Sequence, residues 1–324
     1  MRRRDFIKGI VSSATAWPLA ARAQEPGRTY RVGNLVSSPR NAPYHVALLD
    51  ELRRAGFIEG KNLTVDNDGY GLRPEQFAEH AAELVNRRPD VIQAGGDAAV
   101  RAAQRATSTI PIIAMTDDMI EKGFVRSLAK PGGNITGVSI FASELDDKRE
   151  EVLIEFLPGI HRVAALVDTN TTTQRGLDKL QEAALVRGVA LSIHRVTQAA
   201  EIGPVVNGAK ASNADALNVL ASSLLFNNRR IIFEHVDTLR LPAMYQWPEM
   251  AEEGGFLAYG PRIVQLYRDV MARQLIQLLR GTNPADLPVE QPTRFELVVN
   301  LKTAKRLGLT IPESFLQRAD KVIE

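Results

Sequence analysis

The chain has 324 residues, of which 40 are lysine or arginine and 38 are aspartate or glutamate, and it has no cysteine. This length is enough for two core-bearing domains of ordinary size. The lack of cysteine excludes disulfides, thiolate nucleophiles, cysteine metal sites and a lipid-modified cysteine.

The first 24 residues have the features of an export signal. The stretch RRDFIK, from Arg3 to Lys8, has the residue order that the twin-arginine route reads. A short apolar run follows, and the A-x-A site that ends at Ala23 is typical of signal cleavage. We therefore predict a twin-arginine-type signal over residues 1–23, cleaved near Ala23, and a periplasmic protein. The alternative is an amphipathic N-terminal helix that belongs to the folded protein. It fits the order of a charged segment, an apolar segment and a small-residue site less well.

Removing that segment changes the charge balance. Residues 1–23 hold five basic residues and one acid, so 35 basic and 37 acidic residues remain, with a formal charge of −2. No excess of basic residues is left to favour nucleic acid or anionic lipid as a partner. No later segment is apolar for 18 residues, so we expect no insertion into a membrane.

The first half of the remaining chain alternates short apolar runs with longer amphipathic ones. The apolar runs predict strands over residues 30–36, 63–66, 91–94, 110–115 and 135–140. The amphipathic segments predict helices over residues 42–55, 75–86, 97–106 and about 123–128.

The same alternation restarts after residue 140. It predicts strands over residues 163–167, 190–194, 216–220, 242–246, 256–259 and 295–299. It predicts helices over residues 144–156, 174–187, 199–211, 224–239, 262–280 and 301–307. Apolar strands joined by helices are typical of parallel sheets that are buried on both faces. Two such series predict an α/β protein with two doubly wound parallel-sheet lobes.

The sequence shows no catalytic, metal-binding or cofactor-binding motif. The five histidines, at positions 45, 80, 161, 194 and 235, have no i, i+4 pairing, so we predict no metal site. The segment GFIEGK at residues 56–61 is one residue short of a P-loop and precedes a predicted strand. Gly95-Gly96-Asp97 does not match the dinucleotide fingerprint, and no cofactor is expected.

Polar residues follow many of the predicted strands. Ligands of open parallel sheets bind outside the carboxyl ends of the strands, so these residues are candidates for a binding site. Each of them alone is also an ordinary helix-capping residue. The candidate ligand-binding residues are Ser37, Ser38, Tyr44, Gly96, Asp97, Thr116, Asp117, Asp118, Asn170, Thr171, Ser222, Ser223, Trp247 and Tyr259.

Two features of this set suggest what the ligand is. Asp117 and Asp118 are adjacent acids after a buried strand, and one of them could pair with a ligand ammonium group. Tyr44, Trp247 and Tyr259 could cover an apolar or aromatic body, or they could pack at a hinge.

Several long blocks carry a resemblance to a known family. They are RRRDFIKG, WPLAARAQ, LRRAGFIEGKNLTVD, KGFVRSLAKPGGNITGVS, YQWPEMAEEGGFLAYG and LPVEQPTRFELVVNLKTAKRLGLTIPESFLQRAD. On these blocks the chain resembles, over nearly its whole length, the ABC-transporter substrate-binding family whose better-known members bind tryptophan or tyrosine. The resemblance implies a type I periplasmic-binding-protein fold, with two lobes joined by a hinge. It implies residues 30–140 plus 261–290 in lobe 1, and residues 141–260 plus 291–324 in lobe 2.

The chain departs from the family pattern at three places. Members commonly have Gly-Gly-Thr, Gly-Asp-Pro and Glu-Trp where this chain has Gly95-Gly96-Asp97, Asp117-Asp118-Met119 and Gln246-Trp247. These differences add acid to one wall of the expected site and remove it from another. An aromatic amino acid is therefore a candidate ligand rather than an assignment.

The resemblance implies a non-enzymatic, exported solute receptor. It would deliver a small organic ligand, with an amino acid or an aromatic acid as candidates, to the membrane permease of an ABC importer. A monomer suits a diffusing carrier of this kind. Two alternatives stay open: a sensor for a membrane kinase and, less favoured, an exported hydrolase in which Asp117 and Asp118 would supply the acid and the base.

Overall fold

The computed structural model describes residues 27–324. The predicted export signal over residues 1–23 lies outside the described residues. Within them, no helix combines the length and the apolar character that crossing a bilayer requires.

The first sheet has five strands, β1 (Tyr30–Leu35), β2 (Leu63–Val65), β3 (Val91–Gly95), β4 (Ile112–Thr116) and β5 (Ile135–Ser139). All are parallel, and they lie in the order β2-β1-β3-β4-β5. The direction of winding reverses between β1 and β3, which is where doubly wound sheets open a crevice for a ligand.

The second sheet has seven strands, β6 (Arg162–Asp168), β7 (Ala190–Val196), β8 (Ala216–Val219), β9 (Ala243–Tyr245), β10 (Leu257–Gly260), β11 (Glu296–Asn300) and β12 (Lys321–Ile323). They lie in the order β12-β11-β10-β9-β8-β6-β7, and every pair is parallel except β10 with β11. The predicted α/β architecture with two parallel-sheet lobes is confirmed.

Helices cover both sheets. They are α1 (Pro43–Arg54), α2 (Phe77–Arg87), α3 (Asp97–Ala106), α4 (Asp146–Phe156), α5 (Gln174–Val186), α6 (Ala199–Ala211), α7 (Ser223–Asn227), α8 (Arg229–Thr238), α9 (Pro248–Glu252), α10 (Ile263–Gln265), α11 (Ala272–Leu279), α12 (Leu301–Arg306) and α13 (Glu313–Leu316). We call the first sheet with α1–α3 the first lobe, and the second sheet with α4–α9 the second lobe.

A long helix connects the second lobe back to the first. It consists of α10, a π-helical segment (Leu266–Met271) and α11, without a break, and it packs against α1. Its buried residues, among them Tyr267, Met271 and Leu275, join the same hydrophobic core as Tyr44 and Leu48 of α1. A π-helical turn inside an α-helix shifts the following side chains around the axis and often marks a functional site.

Two local predictions are wrong, and one strand was missed. Residues 123–128 form turns rather than a helix, because the Asp118 carboxylate holds two N–H groups of a tight turn and Gly123 adopts φ +70°. The helix predicted over residues 224–239 divides at Asn228, whose Nδ2 donates to the Leu224 carbonyl at 2.8 Å. The sequence also gave no signal for β12, a short edge strand of three residues.

A buried arginine fixes the segment that leads from the first lobe into the second lobe. Arg149 of α4 is 0% exposed. Its Nη1 donates to the Ala142 carbonyl at 2.7 Å, its Nε to the Tyr259 carbonyl at 2.7 Å, and its Nη2 to the Gln246 carbonyl at 3.4 Å. Nη1 also lies 2.8 Å from Asp146 Oδ1. Removing one member of such a pair leaves an unpaired buried charge and typically costs about 3–5 kcal/mol.

Asp146 extends this arrangement to the second sheet. Its Oδ1 accepts the backbone N–H of Ala221 at 3.1 Å, just after β8. Burial raises the pKa of Asp146 to about 7, although the Arg149 guanidinium and the Ala221 N–H both oppose the rise. The hinge therefore depends on a carboxylate whose charge is stabilised by two specific donors.

Glu150, the neighbour of Arg149 in α4, is a buried acid of a different kind. It is 0% exposed, and neither of its carboxyl oxygens accepts a hydrogen bond from the described residues. Burial raises its pKa to about 8, against the opposing influence of the Asn218 side chain. Asn218 donates its Nδ2 to the Asp146 carbonyl, while its Oδ1 receives no donor within the described part of the chain. A protonated Glu150 can supply that missing donor.

We expect Glu150→Gln to stabilise the protein at high pH. The folded-state pKa of about 8 lies above the ordinary value near 4.3, so the folded state holds the extra proton between these values. The free energy of unfolding of the wild type therefore falls as the pH rises from about 4.5 to about 8. Glutamine keeps a donor and has no charge, so the variant should be more stable by roughly 2–4 kcal/mol at about pH 8.5.

Urea unfolding at about pH 5 and about pH 8.5 measures this difference, which should shrink towards the lower pH. Glu151→Gln is the matched control, because Glu151 has a lowered pKa and pairs with Lys148 and Arg187 near the surface. That variant should be no more stable than the wild type at high pH. Equal stability of Glu150→Gln and wild type at about pH 8.5 would show that Glu150 is not held in its neutral form.

Candidate ligand-binding site

A cavity of about 110 Å³ lies between the two lobes, at the carboxyl ends of their strands. Residues that follow β1, β3 and β4 form one wall, and residues that follow β6, β8 and β9 form the other. Eleven of the fourteen candidate residues line this cavity: Ser37, Ser38, Tyr44, Gly96, Asp97, Thr116, Asp117, Thr171, Ser222, Ser223 and Trp247.

The other three candidates do not line it, and each has a structural partner instead. The Asp118 carboxylate accepts two backbone N–H groups of the turn that follows it. Asn170 donates its Nδ2 to Asp168 Oδ1 at 3.0 Å. Tyr259 lies within β10, where its ring packs against Phe295 at a centroid distance of 6.3 Å. These three residues therefore serve the local structure around the site.

Several lining residues were missed by the sequence analysis. Phe226 comes from α7, one turn after Ser222, and Tyr267 comes from the π-helical segment. Gln246 lies at the end of β9, directly before Trp247. A search for polar residues after predicted strands reaches Gln246 only because it stands next to Trp247. Such a search cannot find residues that helices contribute. The one signal for Tyr267 in the sequence was its place on the apolar face of the helix predicted over residues 262–280.

A buried histidine organises the wall of the first lobe. His45 is 0% exposed, and its Nε2 lies 2.7 Å from Ser38 Oγ. Burial lowers its pKa to about 4, so the ring is neutral at pH 7. The Gln93 amide nitrogen lies 3.5 Å from His45 Nδ1. A donor at Nδ1 assigns the ring proton to Nε2, which leaves the Ser38 hydroxyl proton for Tyr44 or for a ligand.

Two carboxylates lie on the same wall. Asp97, the first residue of α3, accepts a hydrogen bond from the Thr116 hydroxyl and lies 3.4 Å from Lys122 Nζ. Burial raises the pKa of Asp97, with Lys122 opposing and Asp117 adding to the rise. Asp117 accepts the backbone N–H of Ser143 at 3.1 Å and also its hydroxyl. Asp117 thus connects the end of β4 to the segment that leads into α4.

The wall of the second lobe is built from capping groups. Ser222 precedes α7, and its Oγ accepts the N–H of Leu225 and donates to Asp168 Oδ2 at 2.7 Å. Gln246 donates its Nε2 to the Ser222 carbonyl at 3.0 Å. This network fixes the end of β8 against the end of β9.

Aromatic rings run across the cavity from one lobe to the other. Tyr44 lies 4.8 Å from Tyr267 and 6.2 Å from Phe226, and Phe226 lies 6.1 Å from Trp247, measured between ring centroids. The guanidinium of Arg229 lies 4.6 Å above the Phe226 ring. Rings at these separations attract one another and offer both faces and edges to an aromatic ligand.

The lobes meet at the rim of the cavity. A Cβ atom on Gly96 would lie 3.0 Å from Ser223 Oγ, and Gly96 has φ +83°. Gly96 belongs to the first lobe and Ser223 to the second, so this contact closes the cavity at one side.

Two hinged lobes that enclose a cavity with aromatic and hydroxyl walls define a ligand receptor with the type I periplasmic-binding-protein fold. Within residues 27–324, no group of three or more potential metal ligands is present. The family model for "ABC transporter substrate binding protein" matches residues 31–323. The chain therefore belongs to the ABC transporter substrate-binding protein family.

Named relatives and solved structures agree with this. A tyrosine-binding protein of Clostridioides difficile is 24% identical over 86% of this chain and 80% of the relative. A solved structure from Streptococcus pneumoniae in complex with L-Trp has a TM-score of 0.78 and 25% identity, over 91% of this chain and 100% of that chain. A conserved domain protein of Vibrio cholerae has a TM-score of 0.80 and 25% identity, over 91% and 99% of the two chains.

Membership of this family establishes the general function of the protein. The protein is a substrate-binding protein of an ABC transporter, it acts outside the cytoplasm or in the periplasm, and its family is non-enzymatic. The hydrolase alternative is therefore wrong. The structure explains why, because Asp117 and Asp118 face different donors and do not act as a pair.

We expect His45 to stay neutral over the physiological range. A folded-state pKa of about 4 lies below the ordinary value near 6.5. The unfolded state therefore takes up a proton first, and the free energy of unfolding falls as the pH drops from about 6.5 to about 4, by up to roughly 3 kcal/mol.

Imidazole carbon–proton NMR spectra between about pH 5.5 and pH 8 should show no titration of the His45 signal. His45→Gln identifies that signal by its loss, and this variant should lose the corresponding pH dependence of stability. A midpoint above about pH 6 for His45 would contradict the neutral network around Ser38.

Proposed function

We propose that this protein is the exported solute receptor of an ABC importer. It captures a small organic ligand between its two lobes and delivers it, as a periplasmic monomer, to the membrane permease. The observation that carries the proposal is the cavity between the lobes, in which strand ends from both sheets and four aromatic rings converge. Closure about the hinge at Arg149 lets each lobe supply part of one site.

The relatives and the cavity walls support an aromatic body for the ligand. One relative is named as a tyrosine-binding protein, and one similar structure is a complex with L-Trp. Tyr44, Phe226, Trp247 and Tyr267 give this chain an aromatic lining of its own. An aromatic amino acid is the first candidate, and an aromatic acid is the second.

The polar residues of the site support a role in orienting that ligand. Ser37 and Asp117 lie on the wall of the first lobe, and Thr171 and Ser222 lie on the wall of the second. A ligand that touches both sets favours the closed arrangement, because only that arrangement brings them together. The predicted twin-arginine signal accounts for delivery of the folded receptor to the periplasm.

Trp247 provides a direct test. The chain has two tryptophans, and Trp17 falls within the predicted signal, so Trp247 is the single tryptophan of the exported protein. Trp247 is buried and lines the cavity. A bound ligand should therefore change its fluorescence, and saturation at about 100 times the dissociation constant should add about 2.7 kcal/mol of stability.

A screen of amino acids and aromatic acids by Trp247 fluorescence and by thermal unfolding would identify the ligand. Phe226→Ala should weaken binding of the identified compound by about 10-fold or more, because it removes the ring next to Trp247. Phe295→Ala is the matched control, because Phe295 is partly exposed and does not line the cavity. If no compound changes either signal, and native mass spectrometry finds nothing bound to the purified protein, the receptor function is wrong.

A further inference from the structure

Building on the receptor function above, we propose that the site selects a ligand with a single aromatic ring and an ammonium group, and that it does not require a ligand carboxylate. The class of ligand is an arylalkylamine. Three features of the cavity support this: the sign of its charge, a free acceptor on its second wall, and its size.

The charge of the lining is negative. Among the described residues that line the cavity, Asp97 and Asp117 are acidic and none is lysine, arginine or histidine. Lys122 offsets one of these charges from outside the lining, since it pairs with Asp97. A ligand cation would compensate the remaining charge, whereas a ligand anion would be buried beside it without a partner.

The second wall offers an acceptor rather than a donor at Gln246. This side chain is 3% exposed and lines the cavity. Its Nε2 donates to the Ser222 carbonyl, and only the NH₂ end of an amide can do so, which fixes its orientation. No described residue donates a hydrogen bond to its Oε1, and this oxygen is not fully buried. It is therefore available to accept a hydrogen bond from a ligand.

Two hydroxyl groups of the site already donate to carboxylates of the protein. Thr116 donates its proton to Asp97, and Ser222 donates its proton to Asp168. Ser38 accepts from His45 and keeps its own proton. Acceptors on both walls, Asp117 on the first and Gln246 on the second, match a group that only donates, and an ammonium group has three donors and no acceptor.

The aromatic residues and the volume set the rest of the ligand. The cavity of about 110 Å³ is of the order of the roughly 150 Å³ cavity that holds one benzene ring. Trp247 and Tyr44 can pack against a ring, and their faces also attract a cation. A single ring with a short alkylammonium chain combines both properties.

Three probes with the same ring separate the contributions of a ligand ammonium group and a ligand carboxylate to the affinity. They are phenethylamine, L-phenylalanine and 3-phenylpropionate, and calorimetric titration of the full exported protein gives their affinities. We expect phenethylamine to bind at least as tightly as L-phenylalanine, and 3-phenylpropionate to bind at least about 10-fold more weakly than either. Binding of 3-phenylpropionate within about 10-fold of phenethylamine, or tighter binding of L-phenylalanine by about 10-fold, would overturn the proposal.

Asp117→Asn tests the residue expected to hold the ammonium group. Asparagine keeps an acceptor for Ser143 and loses the charge, so phenethylamine affinity should fall by about 10-fold or more. Asp118→Asn is the matched control, because Asp118 has the same charge one residue away and lies outside the lining. Thermal unfolding shows whether each variant folds. A folded Asp117→Asn protein with unchanged affinity would contradict the assignment.

The two proposals can fail separately. If none of the three probes binds but another small molecule changes the Trp247 fluorescence, the amine proposal is wrong and the receptor function stands. If no compound changes that fluorescence and none is bound to the purified protein, both proposals are wrong.

Discussion

The second lobe and the segment that enters it from the first lobe are organised around one buried cation. The guanidinium of Arg149 holds the carbonyls of Ala142, Gln246 and Tyr259, and the Asp146 carboxylate beside it holds the backbone after β8. Ala142 and Gln246 also line the cavity, so the group that organises the hinge positions two residues of the binding site. Loss of these partners would leave a charge unpaired inside the protein.

Neutral groups prepare the walls of the site. His45 is uncharged at pH 7 and connects Gln93 to Ser38 through its two ring nitrogens. Ser222 bonds both Asp168 and the first turn of α7. These hydrogen bonds hold several polar groups of the walls in set positions before a ligand arrives. Such preorganisation lowers the cost of ordering the site and favours selectivity.

Much of this structure could be predicted from patterns that act locally. Apolar strands joined by helices predicted two parallel-sheet lobes, and the rule that ligands bind at strand ends found residues such as Ser37 and Trp247, which line the cavity. The rule failed where a polar residue was needed for a turn, as at Asp118, because adjacent residues point in different directions. It could not find Phe226 or Tyr267, because they reach the cavity from helices that tertiary packing places there.

The contact between Gly96 and Ser223 limits how far the receptor can shut. A Cβ atom at position 96 would lie 3.0 Å from the serine hydroxyl, and the backbone there has φ +83°. Any larger residue there would strain the backbone and would also meet the serine of the opposite lobe. The close approach of the two walls at this point therefore depends on a missing methyl group.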